Sequence, residues 1–413
     1  MIEKWFSFFP RFIAKRINSQ EGSSFARLIS NIAVGSIGIG MATVILSSVI
    51  FNGFKDTIQE KIFSFSGHIQ LSKYNREDAY EAVPVSLGAE IYSKAEDLPE
   101  IESIHHYTYK AGLLKTDDEV LGVVFKGVGS DFDSTRFYKN LVAGQGLDFQ
   151  SERKRYSTET LISQEVSDRL RLGVGDKVVM YFVQDPPKYR KLTVKGIYET
   201  GIEDFDELFI LGDYRLVQKI NNWEDTLVGG FELFAADFDQ LHDAYQAVIV
   251  HKDYYLDASV VTRKYGHLFD WFFMVSQNVK AILAIILSVA SFNIISVMLI
   301  TIIERTGMIG TLKALGATNK QLRQVFLLRG LRIGLKGLLW GNGLGIGLAL
   351  LQQHFQLLPL DPENYYMDAV PILFNWVNIG LFNVVALLLV LLILLIPTFV
   401  VGSISPIRAI KFD

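Results

Sequence analysis

The 413-residue sequence contains no cysteine, which removes thiol catalysis, iron–sulfur clusters, zinc–thiolate sites and disulfides together. Any exported part must therefore stand on its packed core alone. A Lys/Arg-rich block is also missing, and the formal charge is -4 with a pI near 6.0. Without a basic field, no nucleic-acid partner is expected. No G-x-x-x-x-G-K-[ST] loop is present to cradle nucleotide phosphates, and neither a G-x-S-x-G elbow nor an H-E-x-x-H helix occurs. The seven histidines, including His105 and His106, lie at no metal-ligand spacing supported by nearby carboxylates, and read as strand or surface residues. Glu203, Asp204, Asp206 and Glu207 carry enough charge to attract a cation, but a solvated turn is the simpler reading. No catalytic residue, metal site or cofactor of the chain's own is expected.

What the sequence has in quantity is apolar surface: 50% of its residues are hydrophobic and the mean hydropathy is +0.26, which excludes disorder. A helix crossing a bilayer core needs about 20 apolar residues, because its backbone polar groups must be satisfied within the segment. Four stretches qualify, placed at 28–54, 279–303, 333–353 and 373–402. Lys and Arg cluster in segment 1–27 (Lys4, Arg11, Lys15, Arg16, Arg27), in the connection 304–332 (Arg305, Lys313, Lys320, Arg323, Arg329, Arg332) and in the tail 403–413 (Arg408, Lys411). The connection 354–372 has Asp361 and Glu363 but no Lys or Arg. The positive-inside rule then puts both termini in the cytoplasm, with 55–278 and 354–372 on the far side. The first span starts after 27 residues, is too long for a signal-peptide core and lacks a cleavage pattern, so it reads as retained. Ile2, Trp5, Phe6, Phe9 and Ile13 oppose Lys4, Arg11, Lys15 and Arg16 at helical spacing, which predicts an amphipathic segment lying on the inner leaflet.

The expected fold is a membrane protein with four transmembrane helices and a large α+β domain exported between the first and second. Phe54, Ile58, Ile62 and Phe65 continue the first helix beyond the membrane until Gly67 stops it. Strands are predicted at 68–71, 104–114, 120–127, 177–183, 191–198 and 231–236, with 184–189 as a hairpin tip. Helices are predicted at 164–172 and 239–250, and the domain has room for two lobes.

The sharpest local signal is Glu304 to Gly316. Met308, Ile309, Leu312 and Leu315 form one apolar stripe, Gly316 is placed to end the helix, and Thr318 with Gln321 forms a capping box for the next one. With no soluble domain on that side to cover it, the stripe is expected to rest on lipid headgroups or on a partner protein. Within the spans, Gly337, Gly341 and Gly345 recur at small-xxx-small spacing and predict close helix packing, and mid-span Asn293 is read either as an interhelical hydrogen bond or as part of a cavity.

The run Ala290-Ser-Phe-Asn-Ile-Ile-Ser296, then Glu304-Arg305, then Met308-Ile-Gly-Thr-Leu-Lys-Ala-Leu-Gly-Ala317 resembles the core signature of the lipoprotein-releasing LolC/LolE permeases, which group with the MacB and FtsX permeases of ABC transporters. Phe12-Ile-Ala-Lys-Arg16, Asn52-Gly-Phe54, Gly67-His-Ile69, Leu172-Gly-Val-Gly-Asp176, Tyr366-Met-Asp-Ala-Val-Pro371 and Ser405-Pro-Ile-Arg-Ala-Ile410 extend the resemblance along the whole chain. The resemblance implies a bacterial inner-membrane permease that pairs with a second permease chain, the same or related, and with two ATPase subunits that hold ATP and magnesium. It implies that Glu304, Arg305, Met308, Ile309, Leu312, Leu315 and Gly316 form a coupling helix docked on the ATPase. It further implies that the first two spans line a cavity for the acyl chains of a lipoprotein, with Phe51, Phe54 and Asn293 as lining candidates. The hairpin tip near Pro186 is shorter than the hook with which one subunit of the family captures a periplasmic lipoprotein carrier, and Val275-Ser-Gln-Asn278 stands where the family more often has an acidic residue. A MacB-like efflux permease and an FtsX-like scaffold that activates a periplasmic hydrolase are the alternatives.

Overall fold

The computed structural model describes residues 24–74, 80–117, 119–149, 156–361, 365 and 367–404. The amphipathic stretch from Ile2 to Arg16, together with Glu363, Tyr366, Arg408 and Lys411, lies outside the described residues. In chain order the helices are α1 Ser24–Ser66, α2 Glu90–Lys94, α3 Ser134–Phe137, α4 Gln164–Leu170, α5 Glu203–Asp206, α6 Tyr214–Asn221, α7 Leu241–His251, α8 Val261–Lys264, α9 Gly266–Glu304, α10 Thr306–Ala314, α11 Asn319–Phe355 and α12 Trp376–Ser403. The strands are β1 Ile69–Ser72, β2 Val85–Ser86, β3 Ile101–Lys115, β4 Val120–Val128, β5 Leu141–Gly144, β6 Glu159–Ser163, β7 Lys177–Phe182, β8 Lys188–Tyr198, β9 Phe209–Asp213, β10 Leu227–Val228, β11 Gly230–Ala235 and β12 Asp257–Val260.

The chain forms two compact units: a helical one from 1–56, 272–359 and 369–413, and a mixed α/β one from Thr57–Trp271 with Leu360–Asp368. The four helices α1, α9, α11 and α12 are long and apolar enough to cross a membrane. Each outruns or shifts from its predicted span. Helix α9 begins at Gly266 rather than 279, because Val275-Ser-Gln-Asn278 is polar but contains no residue that breaks a helix. Helix α11 starts at the Thr318 capping box, where both reciprocal hydrogen bonds form, so 319–332 is helix rather than linker.

In the α/β unit a ten-stranded sheet contains a closed ring. Strand β3 pairs with β4, β4 with β9, β9 with β6, β6 with β8, β8 with β7, and β7 returns to β3. Side chains such as Phe125, Met180, Leu192 and Ile210 fill this barrel. The N-terminal part of β3 instead pairs with β11, and β11, β1 and β12 continue as an antiparallel sheet whose Leu71, Phe231 and Leu233 pack under Ile91 of α2 and Val248 of α7. The two expected lobes thus share one long strand.

The opposite face of that sheet receives the end of α1. Ile58, Ile62 and Phe65 are buried at i, i+4 and i+7, and Gly67 adopts φ +63°, a left-handed conformation that ends the helix. Phe65 stacks on Phe205 at 4.3 Å and meets Phe209 edge-on at 4.9 Å. Beside them Lys126, with no exposed surface, donates to the Phe65 carbonyl and to both oxygens of Glu232, at 2.8 and 2.9 Å. Gln70 links Glu232 (2.9 Å) to Lys264 (2.6 Å), completing a buried polar chain.

One reading needs correction. Asp206 is buried: its carboxylate accepts from Thr200 N–H (3.1 Å), Thr200 Oγ1 (2.8 Å) and Gly201 N–H (2.7 Å), tying a loop to α5. Burial pushes its carboxyl above the ordinary value against those hydrogen bonds. His105 and His106 lie in strand β3, as expected of strand residues, and with His68 they are buried; His106 Nδ1 is 2.7 Å from Asp131. No group of three or more His, Asp or Glu suited to a metal occurs among the described residues.

His68 lies among Phe63, Phe234 and Phe238, and its Nδ1 accepts from the Ala235 N–H at 2.8 Å, so the ring is neutral. Burial, with the Arg136 charge assisting, pulls its pKa from 6.5 to about 4. Because the unfolded chain then binds the extra proton first, this contribution is intact above pH 6.5 and is lost as pH falls through 6.5 towards about 4. The loss amounts to about 3 kcal/mol. His68→Asn, which keeps an acceptor at the Nδ1 position, should flatten the pH dependence of the urea midpoint in that window by this amount relative to the parent.

Candidate functional site

In the helical unit, α11 is packed between α1 and α12 by its small residues. A Cβ on Gly337 would come within 2.6 Å of Ile37 Cβ, one on Gly341 within 2.6 Å of the Gly38 carbonyl, and one on Gly345 within 3.0 Å of Ala42 Cα. Predicted from their four-residue spacing, these glycines let the two backbones touch, which is how helices associate where no hydrophobic effect separates protein from lipid tails. On another face, Gly334 meets Val390 and Gly330 meets Leu394 of α12. The polar glue is an amide pair that the sequence reading missed: Asn342 Nδ2 donates to Asn383 Oδ1 at 2.7 Å and Asn383 Nδ2 to Asn342 Oδ1 at 2.9 Å. Its signal was available, since an Asn within each of two apolar spans asks for a partner. Asn293 donates to Ser36 Oγ at 3.1 Å, an interhelical hydrogen bond that ties α9 to α1.

Helix α10 is the connecting element between α9 and α11. It closes with a Schellman motif: Ala317 N–H bonds the Leu312 carbonyl (2.9 Å), Gly316 N–H bonds the Lys313 carbonyl (3.0 Å), and Gly316 takes φ +97°. The stripe does not face outward as expected. Ile309 has no exposed surface and belongs to the core of the helical unit, Met308 and Leu312 pack against that core, and only Leu315, 79% exposed, is free of it. The covering surface is the protein's own bundle. What α10 presents to its surroundings is a strip of Gly307, Thr311, Ala314 and Leu315, with exposed Glu304 before it and Gly316 after it, while Arg305 is half-buried at its N-cap.

Lys313 supplies a second anchor. Its ammonium donates to the carbonyls of Val401 (2.9 Å), Gly402 (3.3 Å) and Ile404 (2.6 Å), the last turn of α12. These are carbonyls left without intrahelical partners, and a cation on them also complements the helix dipole. Arg323 of α11 stacks its guanidinium on Phe399 of α12 at 4.6 Å. Lys313 thus ties α10 to the end of α12, through a side chain that no periodicity singles out.

The two resemblance motifs flanking the first and last spans meet: a Cβ on Gly53 would fall 2.5 Å from the Pro371 carbonyl, and Leu373 N–H bonds the Val49 carbonyl at 3.1 Å. Phe51 and Phe54 sit half-buried near this junction in sequence. They do not line the apolar cavity of the helical unit, and neither does Asn293. That cavity, about 280 Å³, is walled by Ile37 and Met41 of α1, Ala290 and Ile294 of α9, and Ala386 and Val390 of α12 among others.

The amide pair generates a double-mutant test. Asn342→Leu and Asn383→Leu should each cost about 1 kcal/mol in mixed-micelle unfolding, and the double variant should cost less than the sum.

Residues 30–240 match the family described as the MacB-like periplasmic core domain, and residues 280–406 match the FtsX-like permease C-terminal family. The lipoprotein-releasing system transmembrane protein LolC of Xylella fastidiosa is 21% identical over 96% of this chain and 97% of its own. LolE of Haemophilus influenzae is 22% identical over 97% of this chain and 99% of its own. Among solved structures, the periplasmic region of MacB from Actinobacillus actinomycetemcomitans aligns with 51% of this chain and 97% of that chain, at 14% identity and a TM-score of 0.33, too loose a superposition to transfer residues. The core-domain match spans just over half of the sequence and the permease match covers the helices that follow it, so the chain belongs to the MacB-like and FtsX-like permease family, in the branch that resembles LolC and LolE from end to end.

Proposed function

We propose that the chain is the membrane-embedded permease subunit of an ABC transporter that releases lipoproteins from the outer leaflet of the inner membrane, powered by a separate ATPase subunit. The observation that carries this reading is the similarity to LolC and LolE, which runs through both the helical and the α/β unit. In this reading both termini and α10 lie in the cytoplasm, and the α/β unit lies in the periplasm. Two ATPase copies, each with ATP and magnesium, engage this chain and a second permease chain, the same or related. A periplasmic carrier then receives the cargo.

The geometry gives the reading a physical route. Moving lipid chains through water costs about 0.8 kcal/mol per CH₂, so release needs an apolar path and a source of work. Paired permease chains, with Phe51 and Phe54 near the outer end of the first span, supply the path. The ATPase supplies the work by gripping α10. Because the buried side of α10 is already seated on the bundle, the docking surface is the exposed strip with Leu315 at its end. Movement then reaches α12 through Lys313 and α11 through the capping box.

Two measurements test this. Liposomes containing the chain, its second permease and its ATPase should release a fluorescent lipoprotein to a soluble acceptor only with ATP. Export of a small molecule without lipoprotein release would favour the MacB-like alternative, and recovery of a bound periplasmic hydrolase with no transport would favour the FtsX-like one. Within α10 the outcomes should divide by side: Leu315→Glu should leave thermal stability unchanged while reducing ATPase association, whereas Ile309→Asp should destabilise the chain by at least about 3 kcal/mol by burying an unpaired carboxylate.

A further inference from the structure

The helical unit contains a hollow that the cargo reading does not use. It lies at the level of the middle of the predicted spans, since its walls come from Ile37 to Val44 of α1, Leu283 to Ile294 of α9 and Leu381 to Ile393 of α12, with Leu338 of α11 beneath. Small residues carve it: Gly40, Ala290 and Ala386 stand where larger side chains would fill the space. At about 280 Å³ it exceeds the roughly 150 Å³ of an engineered apolar cavity that takes up benzene.

Water is a poor occupant, because a buried water needs two to four polar partners and, among the described residues, Ser291 is the one polar side chain in the wall. An empty hollow is also unfavourable, since its lining forfeits dispersion contacts, the main force holding membrane helices together. Leu381 and Val385 of α12 line the hollow and are themselves exposed, and Ile285 and Val289 of α9, close in sequence to the lining residues Ile286 and Ala290, are exposed and apolar as well. In a bilayer such a flank meets lipid tails at high concentration.

We propose that this intrachain cavity is a resident-lipid site, holding one acyl chain of a bilayer phospholipid inserted between α9 and α12 against Met41. The occupant completes the packing of the bundle and leaves the cargo path, formed with the second permease chain, free. It separates α9 from α12 at the level of Ala290 and Ala386, so the spacing of two helices whose ends flank α10 depends on a lipid tail. The inference rests on the membrane-spanning character of the helices and not on the identity of the cargo.

The full permease–ATPase assembly, reconstituted without lipoprotein in phosphatidylcholine vesicles doped with a mid-chain diazirine phosphatidylcholine, provides the test. Photolysis followed by peptide mapping should label the buried floor at Met41 and Ile294 as well as the outer flank at Ile285. Ala290→Phe, which fills the hollow, should lose the floor label and keep the flank label. Val385→Trp, which narrows the opening without repacking the floor, should do the same and guards against misfolding of the first variant. Flank labelling alone in the parent, or floor labelling that survives both variants, overturns the proposal. So does a floor label that appears only when the diazirine is carried by an added lipoprotein, since the cavity would then belong to the cargo. Failure of ATP-driven lipoprotein release, by contrast, would leave these labelling patterns untouched.

Discussion

A helix that leaves a bilayer ends with carbonyls that have no intrahelical partner, and this chain places a lysine ammonium on two such ends. Lys126 reaches the Phe65 carbonyl at the end of α1, and Lys313 reaches Val401, Gly402 and Ile404 at the end of α12. A cation there answers both the missing hydrogen bonds and the negative end of the helix dipole, an effect of up to about 2 kcal/mol in partly buried geometry. The two cases differ in their setting. Lys126 is fully enclosed, burial pulls its ammonium below the usual lysine range, and Glu232 opposes that pull from 2.8 Å. Removing either partner would strand the other charge in the core, which is costlier than never having had the pair. Lys313 is half-exposed and donates to three carbonyls at once.

Between those ends the bundle is held by contact rather than by hydrophobic drive. Lipid tails are as apolar as leucine, so the helices associate where small residues allow close approach and where amides find each other. Gly337, Gly341 and Gly345 serve the first need against α1, and Asn342 with Asn383 serves the second against α12. In the α/β unit the balance reverses, and the barrel and the sheet are organised by enclosed aliphatic and aromatic side chains. With no cysteine available, long strand β3, common to barrel and sheet, does the joining that a disulfide would otherwise do.

The sequence disclosed those features that local spacing determines. The apolar runs located four membrane-crossing helices, the Thr318–Gln321 box and Gly316 bounded α10 and α11, and all six predicted strands recur with ends shifted by at most a few residues. Short strands such as β6 and β9 escaped, because five residues ending in a polar turn carry little periodic signal. Barrel closure was also illegible, since β7 finds β3 across more than sixty residues of chain. At the candidate site, periodicity grouped Met308, Ile309, Leu312 and Leu315 on one face but could not say which partner that face meets. That partner is the chain's own bundle, and the residues left exposed form the adjacent strip of Gly307, Thr311, Ala314 and Leu315. Asp206 failed for a related reason: composition marked it as solvated, whereas the loop donors at Thr200 and Gly201 determine its place.

This distinction constrains how the protein can be driven. A partner shifts a conformational equilibrium only by binding one state more tightly than the other. If all of α10 were a free amphipathic surface, a docked ATPase could tilt or slide it without disturbing the spans, and little work would reach them. With Ile309 embedded in the bundle, Lys313 on the end of α12 and the capping box at the start of α11, α10 has no independent position to occupy. Packed interiors respond to such displacement by switching between arrangements rather than by deforming smoothly. Under the proposed function, a nucleotide-dependent preference for one position of α10 would by thermodynamic necessity be a preference for one arrangement of the spans, and the free energy passed on would be limited by how tightly the buried side of this short helix is held.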